Sequence, residues 1–325
     1  MTVVRQPSFH QLFTTDHEAV RAELLVGLTA SAAHTAPKYL YDALGSRLFE
    51  AITELPEYYP TRTEAAIFAE QGRDMAAHLP AGATLIDLGA GNCNKAASLF
   101  GLLAPGRYVA VDISVDFLRG ALECLQRQFP AMDMVGLGLD FSAGLALPAE
   151  DVPADCPRVL FYPGSSIGNF TPTDALAFLR SVHAACGPVA GSGLLIGVDL
   201  VKGVAELEAA YDDALGVTAA FNLNLLLHIN RTLGTNFSVR DWSHVALYNA
   251  VESRIEMHLQ ARHTLSVRWP GAQRVFTGGE RIHTENSYKW HLPHFQALLA
   301  DAGFAASVAW TDPAQRFAVC WARAR

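Results

Sequence analysis

One stretch limits the possible folds more than any other: Thr84-Leu85-Ile86-Asp87-Leu88 followed by Gly89-Ala90-Gly91-Asn92-Cys93-Asn94. A short, mostly apolar run bounded by a glycine turn reads as a buried strand. The glycines fall where that strand would turn into a helix from about Lys95 to Leu103. Without a Cβ at Gly89 or Gly91, the backbone N–H groups of the turn can approach a ligand closely. A second apolar run, Tyr108 to Asp112, puts Asp112 at a strand end, 23 residues after Gly89. A carboxylate there can accept hydrogen bonds from both hydroxyls of a ribose. Strand, glycine turn, helix, strand and acid predict a βαβ unit of a nucleotide-type parallel sheet.

The following segments extend that pattern. A helix is expected from about Val115 to Phe129, ended by Pro130, with strands near Met134–Leu139, Arg158–Tyr162 and Leu194–Leu200. Thr171-Pro172-Thr173-Asp174 has the form of a helix start: a capping hydroxyl, a first-turn proline and an acid at the positive helix end. After Asp199 the pattern changes. Val204 to Ile229 reads as helical with a soft break at Gly216, and Ile255–Leu259 and Leu265–Trp269 read as antiparallel strands. A helix near Leu292–Ala302 and strands Ala306–Trp310 and Phe317–Trp321 would return the chain to the sheet edge. The first 60 residues read as helical or irregular, with no strand pair of their own. The expected fold is therefore α/β: a Rossmann-like sheet domain from residues 62–198 plus 289–325, and a second, substrate-binding lobe from residues 1–61 plus 199–288.

Composition narrows the class. At 325 residues, half of them hydrophobic and 17% charged, the chain can bury a core and is not a disordered segment. With 24 basic against 32 acidic residues the net charge is −8, which repels phosphate backbones and argues against a nucleic-acid partner. Five widely spaced cysteines without a Cys-x-x-Cys read as reduced thiols. Neither a signal region nor an apolar run of about 18 residues is present, so the expectation is a cytoplasmic monomer acting on a small molecule, with no membrane partner.

A dinucleotide fingerprint needs a third glycine where this chain has Asn94, which counts against NAD. The Asp-x-Gly-x-Gly loop after an apolar strand instead resembles the first motif of S-adenosylmethionine-dependent methyltransferases, whose donor has no phosphate. Asp140-Phe141 at a later strand end suits an adenine: a carboxylate for the exocyclic amine and a ring for stacking.

Pro37-Lys38-Tyr39-Leu40-Tyr41-Asp42 through Gly45-Ser46, then Leu55-Pro56-Glu57-Tyr58-Tyr59-Pro60-Thr61-Arg62, resemble the N-terminal signature of the L-histidine Nα-methyltransferases of ergothioneine biosynthesis. Gly164 to Asn169, Tyr211-Asp212-Asp213-Ala214 with Phe221-Asn222, Arg254-Ile255-Glu256-Met257 and Thr284-Glu285-Asn286-Ser287 resemble further signatures of that family, in the same order. The resemblance runs from about residue 35 to the C-terminus. It implies that Gly89, Lys95, Asp112, Asp140 and Phe141 hold S-adenosylmethionine. It also implies that Tyr58, Asn169, Tyr211, Glu285 and Ser287 hold histidine, that Tyr41, Gly164 and Met257 line the same pocket, and that Asn169 and Tyr58 act at the reacting amine.

The chemistry of these side chains suits such a substrate. Tyr58 and Tyr211 can donate to a carboxylate, and the Asn169 amide offers a donor and an acceptor near an amine. Glu285 can accept from a ring N–H while Ser287 answers the other ring nitrogen. The implied reaction is three successive methyl transfers giving hercynine. Polar Asn286 and Tyr288 stand where smaller or less polar residues are expected, so a tryptophan derivative or a thiol-bearing histidine is the first alternative substrate. A non-catalytic donor-binding paralogue and an NAD oxidoreductase are the others. His291-Leu292-Pro293-His294 has no regular helical spacing and no supporting carboxylate or cysteine cluster, so no metal is expected.

Overall fold

A computed structural model describes residues 4–13, 16–113, 115–141 and 144–324. The chain runs through β1 (Ser8–Gln11), α1 (His17–Thr29), α2 (Ala43–Thr53), α3 (Tyr59–His78), β2 (Thr84–Leu88), α4 (Asn94–Leu103), β3 (Arg107–Asp112), α5 (Val115–Gln128) and β4 (Met134–Gly138). Next come β5 (Arg158–Tyr162), α6 (Pro172–Ala185), β6 (Gly193–Asp199), α7 (Val204–Ala209) and α8 (Val217–Leu233). It closes with β7 (Trp242–Asn249), β8 (Arg254–Ala261), β9 (Leu265–Trp269), β10 (Ala272–Phe276), β11 (Arg281–Tyr288), α9 (Leu292–Asp301), β12 (Ala306–Thr311) and β13 (Phe317–Arg323).

Two compact units emerge. One contains the described residues up to Phe13, then Arg62–Leu200 and Trp290 onward. Its sheet has eight strands in the order β1-β4-β3-β2-β5-β6-β13-β12. The first six pair in parallel, while β13 runs antiparallel to β6 and β12 antiparallel to β13. Alternation sends Ile86, Leu88, Val109 and Val111 into one apolar cluster, and Leu85, Tyr108 and Ala110 into another. Burial on both faces explains the continuous apolar runs that mark these strands. The Thr171 hydroxyl accepts from Asp174 N at 3.2 Å and Pro172 occupies the first turn, so α6 begins as its sequence predicts.

The N-terminus departs from expectation. Residues 8–11 form a strand that pairs in parallel with β4, Ser8 against Val135 and Gln11 against Gly138. The residues up to 13 therefore group with the sheet unit, not with the second lobe, because their backbone completes the sheet edge.

The second unit contains residues 16–61 and 201–289. It holds α1, α2, α7 and α8 with a three-stranded sheet, β11-β8-β7, and the hairpin β9–β10. Leu40, Phe221, Leu225, Trp242, Ile255 and Met257 belong to its single apolar core. The expected soft break at Gly216 is a full helix end. Gly216 has φ 74°, and the Asp213 carboxylate caps α8 by accepting from Val217 N at 3.0 Å and Thr218 N at 2.7 Å.

Candidate active site

In the sheet unit the order of strands reverses at β2, with β3 on one side and β5 on the other. Ligands of open α/β sheets bind at such a switch, beyond the carboxyl ends of the strands. That is where the chain places its glycine turn and acids. Gly89 and Gly91 follow β2 with φ of 73° and 52°, conformations that ordinary residues rarely adopt. Asp112 ends β3 and accepts from Gly91 N at 3.0 Å, tying the turn to the neighbouring strand. Phe141 lies just beyond β4, its ring packed against Tyr162 at the end of β5, with centroids 5.9 Å apart. A Cβ on Gly89 would stand 3.7 Å from that ring. Gly89, Asp112 and Phe141 thus face the same strand ends, and Asp140 precedes Phe141 there. A ribose and an adenine-sized ring match this set of groups.

Lys95, in the first turn of α4, forms an ion pair with Glu64 at 2.8 Å. The other Glu64 oxygen accepts from Gly164 N at 2.8 Å. Glu64 is buried, and its carboxylate fits only because Gly197 has no side chain: a Cβ there would sit 2.1 Å from Oε1. Ser165 follows with φ 59° and accepts from Asp199 N through Oγ at 2.9 Å, leading into the 3-10 turn Ser166–Asn169. Gly164 is therefore held at the end of β5 by its bond to buried Glu64, and Asn169 closes the 3-10 turn that follows Ser165. Backbone strain at a non-glycine residue is characteristic of functional loops.

Asp87, inside β2, is buried and accepts from the Tyr108 hydroxyl at 2.8 Å; its second oxygen has no hydrogen-bond partner among the described residues. Burial, reinforced by the charge of Asp112, pushes its pKa up from 3.8 to about 7, against the opposing Tyr108 hydrogen bond. The folded chain therefore holds this proton where the unfolded chain has lost it, and the associated stability disappears as pH rises through that window. In paired thermal melts, the midpoint of the parent is expected to fall relative to Asp87→Asn between pH ~4 and ~8. A difference between the two that does not change with pH would contradict the assignment.

The second unit presents a different kind of site. On β11, Glu285 pairs with Met257 of β8 and Ser287 with Ile255, and the register shifts between His283 and Glu285. This bulge lets Thr284 and Glu285 both turn inward, and the Thr284 hydroxyl donates to Met257 O at 3.0 Å. Glu285 and Ser287 share one buried strand face, as the period of two requires. Burial pushes the Glu285 carboxyl up from 4.5 to about 8, opposed by the charge of Lys289. Its Oε2 has no hydrogen-bond partner among the described residues. A buried acceptor without a partner is costly unless a ligand or water answers it.

Tyr211, between α7 and α8, is fixed through its carbonyl, which lies 2.8 Å from His244 Nε2. Its hydroxyl is 2.7 Å from Ser287 Oγ. Around it, aromatic rings meet edge to face: Tyr211 with Tyr58 at 6.2 Å, Tyr58 with Phe49 at 6.1 Å, Phe49 with Tyr41 at 5.5 Å, and Tyr41 with Phe221 at 5.4 Å. Tyr41, Tyr58, Tyr211, Met257, Glu285 and Ser287 thus belong to one unit, whereas Gly164 and Asn169 belong to the other. Aromatic faces attract a quaternary ammonium, and the carboxylate and hydroxyls can hold a small polar ring.

Two participants are not evident from sequence. Lys289 is 3% exposed and donates to Ser287 Oγ at 2.8 Å and Tyr211 OH at 3.1 Å. Its only sequence signal is that it continues the alternation Glu285, Ser287. Glu64 carries no signal beyond an acid on a buried helix face.

A parallel sheet in this strand order with an antiparallel pair at one edge, a glycine turn after the central strand, and acids at the next two strand ends defines an S-adenosylmethionine-dependent methyltransferase. Residues 20–324 match the family described as "Histidine-specific methyltransferase, SAM-dependent", and the chain belongs to that family. It is 39% identical over 307 residues to the histidine N-alpha-methyltransferase of Mycolicibacterium smegmatis, covering 92% of this chain and 93% of that one. Identity to the protein of the same name from Mycobacterium tuberculosis is 38% over 307 residues, covering 93% and 94%. Ergothioneine biosynthesis protein 1 of Neurospora crassa is 31% identical over 279 residues, which cover 84% of this chain and 31% of that protein. The NAD alternative is excluded by this membership. Among the described residues, no helix is long and apolar enough to cross a membrane.

Proposed function

We propose that this enzyme transfers the methyl group of S-adenosylmethionine to the α-amino nitrogen of L-histidine, three times in succession, giving hercynine for ergothioneine biosynthesis. The observation that carries the reading is the buried pair on β11: a carboxylate with an unanswered oxygen and a hydroxyl two residues on, facing the same way. An imidazole offers one N–H and one lone pair to that pair, and an indole offers only the N–H.

In this reading Gly89, Asp112, Asp140 and Phe141 hold the donor through its ribose and adenine, and Lys95 sits beside the turn, its charge balanced by Glu64. The fit is supported by the absence of a Cβ at Gly89 beside the Phe141 ring. When bound, the donor supplies a methyl group on a positively charged sulfur. Tyr58 and Tyr211 anchor the histidine carboxylate, and Glu285 and Ser287 fix the ring. Asn169 orients the amine so that its lone pair lies in line behind the sulfur–methyl bond. An ammonium cannot attack, so a proton leaves the amine before each transfer; a peptide α-amino group titrates near ~8 and a free amino acid higher. Alignment and exclusion of water supply most of the acceleration. The rings of Tyr41, Phe49 and Tyr58 accommodate the cation as its methyl groups accumulate, and Gly164 leaves room for them.

The test is a time course of histidine with the methyl donor, followed by mass spectrometry and proton NMR. The reading predicts one, two and then three methyl groups on the α-nitrogen. Methylation of the ring, or of the carboxylate, would contradict it.

A further inference from the structure

Among the described residues, three side chains able to ligate one metal ion come together outside the groups given to donor and substrate: His10 on β1, with Glu150 and Asp151 of the segment that leads from β4 to β5. All three lie in the sheet unit. Far apart in the chain, they form no motif, and only the pairing of β1 with β4 brings the histidine to the acids.

Asp151 is the residue that calls for a ligand. It is 4% exposed and its Oδ2 has no hydrogen-bond partner among the described residues, although His10 Nδ1 stands 3.2 Å away. A buried carboxylate oxygen in that state is costly. Two such atoms, close together without a hydrogen bond, match neighbouring ligands of one small cation. With zinc about 2.0–2.1 Å from each, tetrahedral geometry separates them by roughly 3.3 Å. The donor atoms of all three residues lie within 4.8 Å of one another, and exposed Glu150 is free to close the remaining distance by a change of rotamer. The backbone beneath is fixed. Arg107 Nη1 donates to Glu150 O at 3.3 Å and to Asp151 O at 2.9 Å, while Asp133 answers the Arg107 charge at 2.8 Å.

We propose that His10, Glu150 and Asp151 form a site for a divalent transition-metal ion of the zinc class, which fastens the edge strand β1 to the segment between β4 and β5. The two carboxylates supply the negative charge that a divalent cation cancels, and an imidazole nitrogen favours zinc over magnesium or calcium, which take oxygen ligands. Water completes the coordination. β1 is four residues long and ends the sheet, so a bond from its own side chain adds a hold that its short ladder to β4 lacks. The ion takes no part in methyl transfer.

Calorimetric titration of zinc chloride into the chelator-treated chain, without histidine or methyl donor, tests the site. One equivalent is expected to bind, and saturating zinc should raise the melting midpoint by roughly 3–6 °C. Losing a direct ligand should cost no less than losing an outer one, so His10→Ala and Asp151→Asn should each weaken binding by at least about 10-fold. Unchanged binding in both variants, or no shift of the midpoint, would overturn the proposal. X-ray absorption of the zinc-loaded, unaltered chain needs no folded variant. One imidazole with oxygen ligands at about 2.0–2.2 Å is expected; sulfur at about 2.3 Å, or two or more imidazoles, would put the ion elsewhere and overturn the proposal. Zinc should also slow hydrogen exchange at the amides of residues 8–11, and exchange that zinc leaves unchanged would contradict the fastening of β1.

Discussion

Glu285→Ala is expected to lower kcat/KM for histidine by about 10²- to 10³-fold while donor affinity stays within about 2-fold. The change removes the buried acceptor for a ring N–H. A site built to hydrogen-bond a polar group discriminates steeply once that bond is lost. The pH dependence carries the same signature. Because burial raises Glu285 to about 8, the empty site holds a protonated acid below that value and an accepting carboxylate above it. Histidine affinity should therefore strengthen as pH rises through about 8, and that limb should vanish in the alanine variant. Initial-rate kinetics across pH, with donor binding measured by calorimetry, check both statements. A loss confined to donor binding would show that the ring is held elsewhere.

Asn169→Ala is expected to cost about 10²-fold in kcat, whereas His294→Ala should stay within about 2-fold of the parent. Asn169 stands on a turn whose geometry is over-determined: Gly164 N is bonded to buried Glu64, Ser165 is strained at φ 59°, and its hydroxyl holds Asp199 N. Such rigidity is what alignment of a weak nucleophile requires. His294 lies exposed in the first turn of α9, behind Pro293, and its ring packs on His291. Equal and mild losses in single-turnover measurements of the two variants would contradict the role given to Asn169.

The parallel strands are legible in the sequence because burial on both faces demands unbroken apolar runs: Thr84–Leu88 appears in the structure with the same bounds. β11 is illegible for a reason that belongs to its chemistry. The residues it buries, Thr284, Glu285 and Ser287, are polar, and the bulge after His283 breaks the alternation by which a strand is recognised. β1 is only four residues long, with no clear alternation, and becomes a strand because the open edge of β4 offers it partners. Lys289 and Glu64 carry no mark of their burial in the sequence, since only the folded chain reveals the hydroxyls around one and the space over Gly197 that admits the other. The glycine turn and Asp112 are legible because φ > 0 and the strand end each demand a particular residue type. For the aromatic residues, the family resemblance supplies what periodicity does not, because a tyrosine on a helix or loop carries no mark of the rings it will pack against.

The most direct test of the central claim is to incubate the purified enzyme with S-adenosylmethionine and an equimolar mixture of the twenty amino acids, and to identify every methylated product by mass spectrometry. Donor and acceptor are then examined together, without prior choice of substrate. The account predicts that histidine alone gains one, two and finally three methyl groups. Methylation of tryptophan or another amino acid in preference to histidine would contradict the assignment of Glu285 and Ser287 as the groups that hold the ring.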